Sequence, residues 1–124
     1  MKPSRLLAHR YGIHAEKIAA LYLRCKGYRV IAARLRNPYG EIDLLVKRGR
    51  TFAAVEVKAR KNFQLCEDSV PPWKRQKIAR AMEAAMANGK IAGLVAGGNH
   101  NIRFDVVWIV PWAWPRHIPD AWRM

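Results

Sequence analysis

A single mixed α/β domain is the fold that this sequence predicts, and three observations predict it. Segments of helical and extended periodicity follow one another in the order helix, three strands, helix, strand. Apolar residues make up 51% of the chain, enough for a core and too many for a disordered basic tail. The length of 124 residues suits one domain, and no repeat, low-complexity tract or linker divides it. Residues 1–124 therefore read as one unit, with a core over about 11–110 and a Trp/Pro-rich strap over 111–124.

The first periodic segment runs from about Tyr11 to Lys26. Ile18, Leu21, Tyr22 and Cys25 recur at helical spacing, and Gly27 stands where a C-terminal cap belongs. Tyr28 to Leu35 is β-prone. Asn37-Pro38-Tyr39-Gly40 is a turn signal. Glu41 to Val46 reads as a strand, Lys47 to Arg50 as a turn and Phe52 to Ala59 as a second strand. Pro71-Pro72 opens a helix, since proline is tolerated in a first turn. Ile78, Met82, Ala85 and Met86 form its apolar stripe, and Gly89 ends it. The glycine-rich stretch from Asn88 to His100 has no assignable element. Ile102 to Val110 is a strong strand. The tail from Pro111 holds Trp112, Trp114 and Trp122 among Pro111, Pro115 and Pro119.

Composition excludes several functions. No apolar run approaches the ~18 residues of a membrane span, and the N-terminus lacks the apolar stretch of a signal peptide. Cys25 and Cys66 form no CxxC pair, which points to reduced thiols in a cytoplasmic protein. His9, His14, His100 and His117 lack the spacing of a zinc site. The 23 Lys and Arg against 9 Asp and Glu give a net charge of +14, so the expected partner is anionic. Nucleic acid leads. A membrane surface would need an amphipathic helix with a basic face, and neither helix presents one.

In a chain so poor in acid, Glu41, Asp43 and Glu56 fall close together, with Lys58 directly after. Side chains alternate across a strand, so Glu41 shares a face with Asp43, and Glu56 with Lys58. Ile42, Leu44 and Val46 line the other face of one strand; Ala53, Val55 and Val57 line that of the next. Burying both apolar sets together forces the four charged residues onto one side. A two-residue loop at Gly49-Arg50 has the required parity and sets Asp43 opposite Glu56 and Glu41 opposite Lys58; a loop at Arg48-Gly49 also preserves the face but moves Asp43 to a diagonal position. Facing carboxylates repel, and a divalent cation would remove that cost. Mg²⁺ or Mn²⁺ suits one or two carboxylates with positions left for water and phosphate. Lys58 beside it would steady charge on a phosphate or hold an attacking water. The alternative is a solvated sheet face with cross-strand ion pairs.

The segment Gly40 to Arg60 (GEIDLLVKRGRTFAAVEVKAR) resembles the core motif of the PD-(D/E)XK nuclease superfamily. Asp43 matches its first acid and Glu56-x-Lys58 its second element. More closely, the chain resembles the YraN family of small bacterial proteins. Ala15-Glu16, Gly27-Tyr28, Gly40-Glu41-Ile42-Asp43-Leu44, Val55-Glu56-Val57-Lys58 and Arg103-Phe104-Asp105-Val106 carry that likeness in order. It implies a restriction-endonuclease-like core, α-β-β-β-α-β, a mixed central sheet flanked by helices and close to Holliday-junction resolvases. It also implies a role for Glu16, because a first-helix Glu joins the metal site in related nucleases; a partly exposed helix-edge carboxylate is the other reading. Arg34 departs from the pattern, standing where relatives usually carry Asn. The stretch from Asn62 to Val70 also matches poorly. Gln76 is followed by Arg80 rather than the Tyr of RecB-like relatives.

The expected centre is therefore Asp43 and Glu56 as metal ligands, with Lys58 catalytic and Glu41 or Glu16 assisting. Asp105 reads as structural, paired to Arg103 or another base. Three groups of bases surround the acids: Lys47, Arg48 and Arg50 in the hairpin turn; Arg60 and Lys61 after the strand; Lys74, Arg75 and Lys77 in the first turns of the second helix. Bases at a helix N-terminus oppose its dipole unless an anion sits there, and DNA phosphate is the natural one. No motif for reading base edges is visible, so binding is expected to be non-specific. The tail tryptophans can form a strap on the domain's own core, seal a homodimer or stack on unpaired bases. The function expected is metal-dependent phosphodiester hydrolysis on structured or branched DNA; the alternative is a non-catalytic nucleic-acid-binding protein of the same fold.

Overall fold

The first helix, α1 (Pro3–Cys25), begins well before the expected Tyr11. Its end is the expected one. Gly27 at φ +91 lets the Tyr28 N–H donate to Leu23 O and the Gly27 N–H to Arg24 O, both at 3.0 Å. These paired bonds close a glycine-capped helix and satisfy its last carbonyls. In this computed structural model residues 3–62, 70–95 and 98–124 are described, with the backbone alone for 3–13 and 90. Cys25 is a free, exposed thiol; Cys66, and with it most of the stretch from Asn62 to Val70, lies outside the described residues.

Three strands follow: β1 (Arg29–Asn37), β2 (Gly40–Arg48) and β3 (Thr51–Ala59). They form an antiparallel meander, and Arg48 pairs with Thr51 across the two-residue loop Gly49-Arg50. Gly49 has φ +61, which the first position of such a loop requires. The chain then crosses over through α2 (Pro72–Met86) and α3 (Gly89–Leu94) to β4 (Asn101–Ile109), which runs parallel to β3. The last strand, β5 (Arg116–Trp122), returns antiparallel to β4, so the sheet order is β1-β2-β3-β4-β5. The predicted order α-β-β-β-α-β is present, and α3 and β5 are additions to it.

Both faces of the sheet are covered. On one, Ala15, Ala19, Ala20 and Leu23 of α1 pack on Leu44, Val46, Ala53, Val55, Val107 and Ile109. Small alanines let the helix lie close. On the other, Ile78, Ala81, Met82 and Met86 of α2 pack on Leu45, Phe52, Ala54, Phe104, Val106 and Trp108. Truncating a fully buried member such as Leu23 or Met82 to Ala should cost about 2–5 kcal/mol. The expected division into one apolar and one charged face thus holds only at the end of the hairpin far from its turn. Closer to the turn, Leu45, Phe52 and Ala54 make the second face apolar too.

The tail divides in two. Trp122 is buried and stacks on Phe104, with ring centroids 5.2 Å apart, as a strap on the domain's own core should. The link from β4 to β5 instead forms a tight turn, in which the Ala113 N–H donates to Val110 O at 3.4 Å. Pro111 is its second residue and Trp112, at φ +62, its third. That position favours glycine, and a bulky residue there stores ~1–3 kcal/mol of backbone strain. No helix among the described residues is long and apolar enough to cross a membrane.

Candidate active centre and nucleic-acid face

Two acids meet where the hairpin opens. The β2–β3 register runs from Arg48↔Thr51 to Leu44↔Val55, and one more step would set Asp43 opposite Glu56, the parity read from the loop. At that step the backbone ladder gives way. Asp43 Oδ2 accepts the Val57 N–H at 2.9 Å, so a side chain takes the place of a strand partner. The reason lies partly on β1. Arg34 has φ +53, and the β1–β2 register passes from Ala33↔Leu44 to Leu35↔Ile42 without pairing Arg34 to Asp43. Alternation then breaks: Ile42 joins the same core as Leu45, three residues on. The left-handed region disfavours an ordinary side chain such as Arg; after Gly, Asn and Asp tolerate it best.

Glu56 is buried, and its Oε1 accepts Lys74 Nζ of α2 at 2.5 Å. Burial pushes the Asp43 carboxyl up to about 7; Glu56 and Glu16 add to the rise, while the Val57 N–H and Lys74 oppose it. Glu16, on α1, lies 3.5 Å from Arg34 and is largely covered. Lys58 shares the Glu56 face and rests 5.3 Å from the centre of the Trp108 ring. Glu56 and Glu16 thus lie near enough to Asp43 to act on its carboxyl, while strand alternation sets Lys58 on the Glu56 face, over Trp108. Glu41 stands apart. It is exposed and pairs with its β1 neighbour Arg36 at 3.4 Å rather than with Lys58, because the ladder to β3 has ended before it.

Among the described residues no group of three or more His, Cys, Asp or Glu side chains is arranged to hold a metal ion. The donor set still suits a hard divalent cation, for which one or two carboxylates suffice. What fits is the chemistry of the donors: Asp43 is anchored to the Val57 N–H by one carboxylate oxygen, and the Glu56 carboxylate lies close by.

The bases split into two sets. Lys47, Arg48 and Arg50 sit at the hairpin turn, roughly 13 to 20 Å along the strand from Glu56 at ~3.3 Å per residue. A hairpin necessarily puts its turn at the opposite end of the strand. There Arg48 lies 4.4 Å from the Tyr28 ring centroid and donates to Lys26 O, and Lys47 lies over Phe52. Arg60 and Lys61 follow β3 at the carboxylate end, with Arg60 5.5 Å from the Trp108 ring. Of the α2 bases, Lys74 turns to Glu56 and Arg75 donates to Val70 O at 2.6 Å. Lys77 stands over Trp73. The expected phosphate cradle at this helix start is thus partly taken up by the protein itself.

Two features escaped the sequence. Lys74 as the counter-ion of Glu56 had a signal, a base in a first turn free of acids. Arg116 had none, because it depends on β5: it pairs with Trp108, which pairs with Lys58, so cation, indole and cation form one row across the sheet. Asp105 fulfils its structural reading. It is fully buried and accepts two bonds from Arg103, one from His117 Nε2 and one from the Asp120 N–H, at 2.8–3.0 Å. Lys26 Nζ donates to His117 Nδ1, which leaves the Nε2 proton for Asp105.

Comparison with known proteins gives one consistent result. A family model described as "Uncharacterised protein family UPF0102" matches residues 15–109. A UPF0102 protein of Parvibaculum lavamentivorans is 48% identical over 118 residues, which is 95% of this chain and 85% of the relative. One of Paramagnetospirillum magneticum is 44% identical over 98% of this chain and 95% of its own. One of Erythrobacter litoralis is 40% identical over 96% and 97% respectively.

Proposed function

Because the chain belongs to the UPF0102 family, we propose, from the carboxylate centre it carries on the family's matched segment, that it is a metal-dependent nuclease acting on structured or branched DNA. One observation supports the reading: a half-buried Asp43 and a buried Glu56 come close at the opened end of a hairpin, with Lys58 on the Glu56 face of its strand. Asp43 and Glu56 would hold Mg²⁺ or Mn²⁺, which when bound supplies Lewis acidity to a phosphate oxygen. Val57 N–H fixes the Asp43 carboxylate by one oxygen. Lys58 Nζ, steadied over Trp108, orients the attacking water or neutralises charge on the phosphate. Arg60 and Lys61 carry the backbone past the centre.

The test is cleavage of duplex, single-stranded, flap and four-way substrates with Mg²⁺ or Mn²⁺. Asp43→Ala and Glu56→Ala should each lower the rate by at least ~10²-fold while retaining DNA binding. Full activity in both variants would overturn the reading. A second reading, binding without turnover, is favoured by the ion pairs: Glu56 already has Lys74, and Glu16 has Arg34. It predicts no cleavage under either cation and wild-type affinity in all these variants.

A further inference from the structure

The turn from Val110 to Pro115 exposes what proteins ordinarily bury. Trp112 is 104% exposed and Trp114 84%. Prolines at 111 and 115 stiffen the turn, and its strained third residue is Trp112 itself at φ +62. Neither packing nor backbone preference accounts for an indole there: glycine would relieve the strain and remove an exposed apolar surface.

Location supplies the reason. β3 and β4 are parallel and end together at Ala59↔Ile109, so this turn projects from the sheet end that bears the carboxylates. From Val106, the partner of Glu56, the chain reaches Val110 in about 13 Å at ~3.3 Å per residue. Between them lies the row of Lys58, Trp108 and Arg116, with Arg60 against the same indole. We propose that Trp112 and Trp114 form a stacking platform for unpaired bases of a nucleic acid whose backbone follows this cationic row. The substrate is therefore single-stranded at or near the scissile phosphate, as at a flap or an opened junction, rather than continuous duplex. Aromatic faces beside a basic track are the usual means of holding unpaired strands without reading sequence. A second copy of this chain is a poorer occupant, because two surfaces of a +14 protein repel.

The proposal rests on nucleic acid being the partner, so binding is measured in EDTA, apart from cleavage. Labelled oligo-thymidine and a duplex of equal length are titrated with wild type, Trp112→Gly/Trp114→Ala and Trp112→Phe/Trp114→Phe. Wild type should prefer the single strand. The Gly/Ala variant should lose about 5- to 150-fold per lost stack on the single strand, keep its duplex affinity and melt at a higher temperature. The Phe variant should recover most of the loss. Equal loss on both ligands, or no loss, overturns the platform and leaves the nuclease reading standing. Loss of self-association or of binding to anionic vesicles in place of strand binding also overturns it. Failure of wild type to bind either oligonucleotide sinks both.

Discussion

Two aspartates of this sheet are withdrawn from water, and they are treated in opposite ways. Asp105 receives four hydrogen bonds from Arg103, His117 and the Asp120 N–H. Burial alone would raise its carboxyl, but those donors outweigh it and hold the group at about 2. Asp43 receives one backbone N–H and faces a second acid, and it is pushed up to about 7. A saturated buried charge ties elements together, here β4 and β5. An undersupplied one leaves room for a charge the chain does not itself provide, which is the common condition of functional sites.

The largest effect should separate them by stability. Asp105→Ala leaves Arg103 without its carboxylate, with the Tyr28 hydroxyl still accepting one bond, and should cost about 3–5 kcal/mol in urea unfolding. Asp43→Asn keeps an acceptor for the Val57 N–H and should cost nothing at neutral pH. Equal losses would break the comparison. The pH dependence sharpens it. Asp43 binds its proton more tightly folded than unfolded, so its contribution makes stability fall as pH rises from about 4 to 7. Asp105 binds its proton less tightly folded, so its contribution is present above about 4 and lost as pH falls toward 2. Urea midpoints of wild type and Asp43→Asn should coincide near pH 4. They should diverge in the mutant's favour by pH 8, on the order of a few kcal/mol. Parallel curves would show that Asp43 is not undersupplied.

The shared face of the hairpin was legible because its parity is arithmetic, and both Gly49-Arg50 and Arg48-Gly49 preserve it; the observed pair Arg48↔Thr51 selects the first. Gly27 was legible as a cap because only its conformational freedom suits that position. The break in alternation at Asp43 was not, since it depends on Arg34 adopting φ +53 on another strand. Nor was β5. Pro119 interrupts its pattern, which only an edge strand tolerates, and tertiary contacts through His117 and Trp122 hold it. The two sets of bases looked contiguous in sequence because a hairpin turn and the following strand end are close in number and far apart in space.

A cation supplied from outside should erase part of the contrast. With Mg²⁺ at a hundredfold above its dissociation constant, wild type should gain ~2.7 kcal/mol. The gain should be larger at pH 8 than at pH 5, because protonated Asp43 competes with the ion. Asp43→Asn should lose most of the gain, and Asp105→Asn should keep it. Thermal shift against Mg²⁺ and Mn²⁺ at both pH values measures this, and an equal gain in all three proteins would remove the site from Asp43.

The smallest effect concerns Arg34, where two terms nearly cancel. Its αL backbone disfavours an ordinary side chain by ~1–2 kcal/mol, which Asn would largely relieve. Its ion pair with Glu16, at 3.5 Å and partly exposed, returns ~0–1 kcal/mol. Arg34→Asn should therefore gain no more than about 1 kcal/mol in urea unfolding. The informative readout is Asp43. Glu16 already raises its carboxyl, and a Glu16 stripped of its guanidinium should raise it further. The Asp43 carboxyl titration, followed by NMR, should shift upward in Arg34→Asn and downward in Glu16→Gln. If neither variant moves it, Glu16 is a helix-edge carboxylate, and the centre consists of Asp43, Glu56 and Lys58 alone.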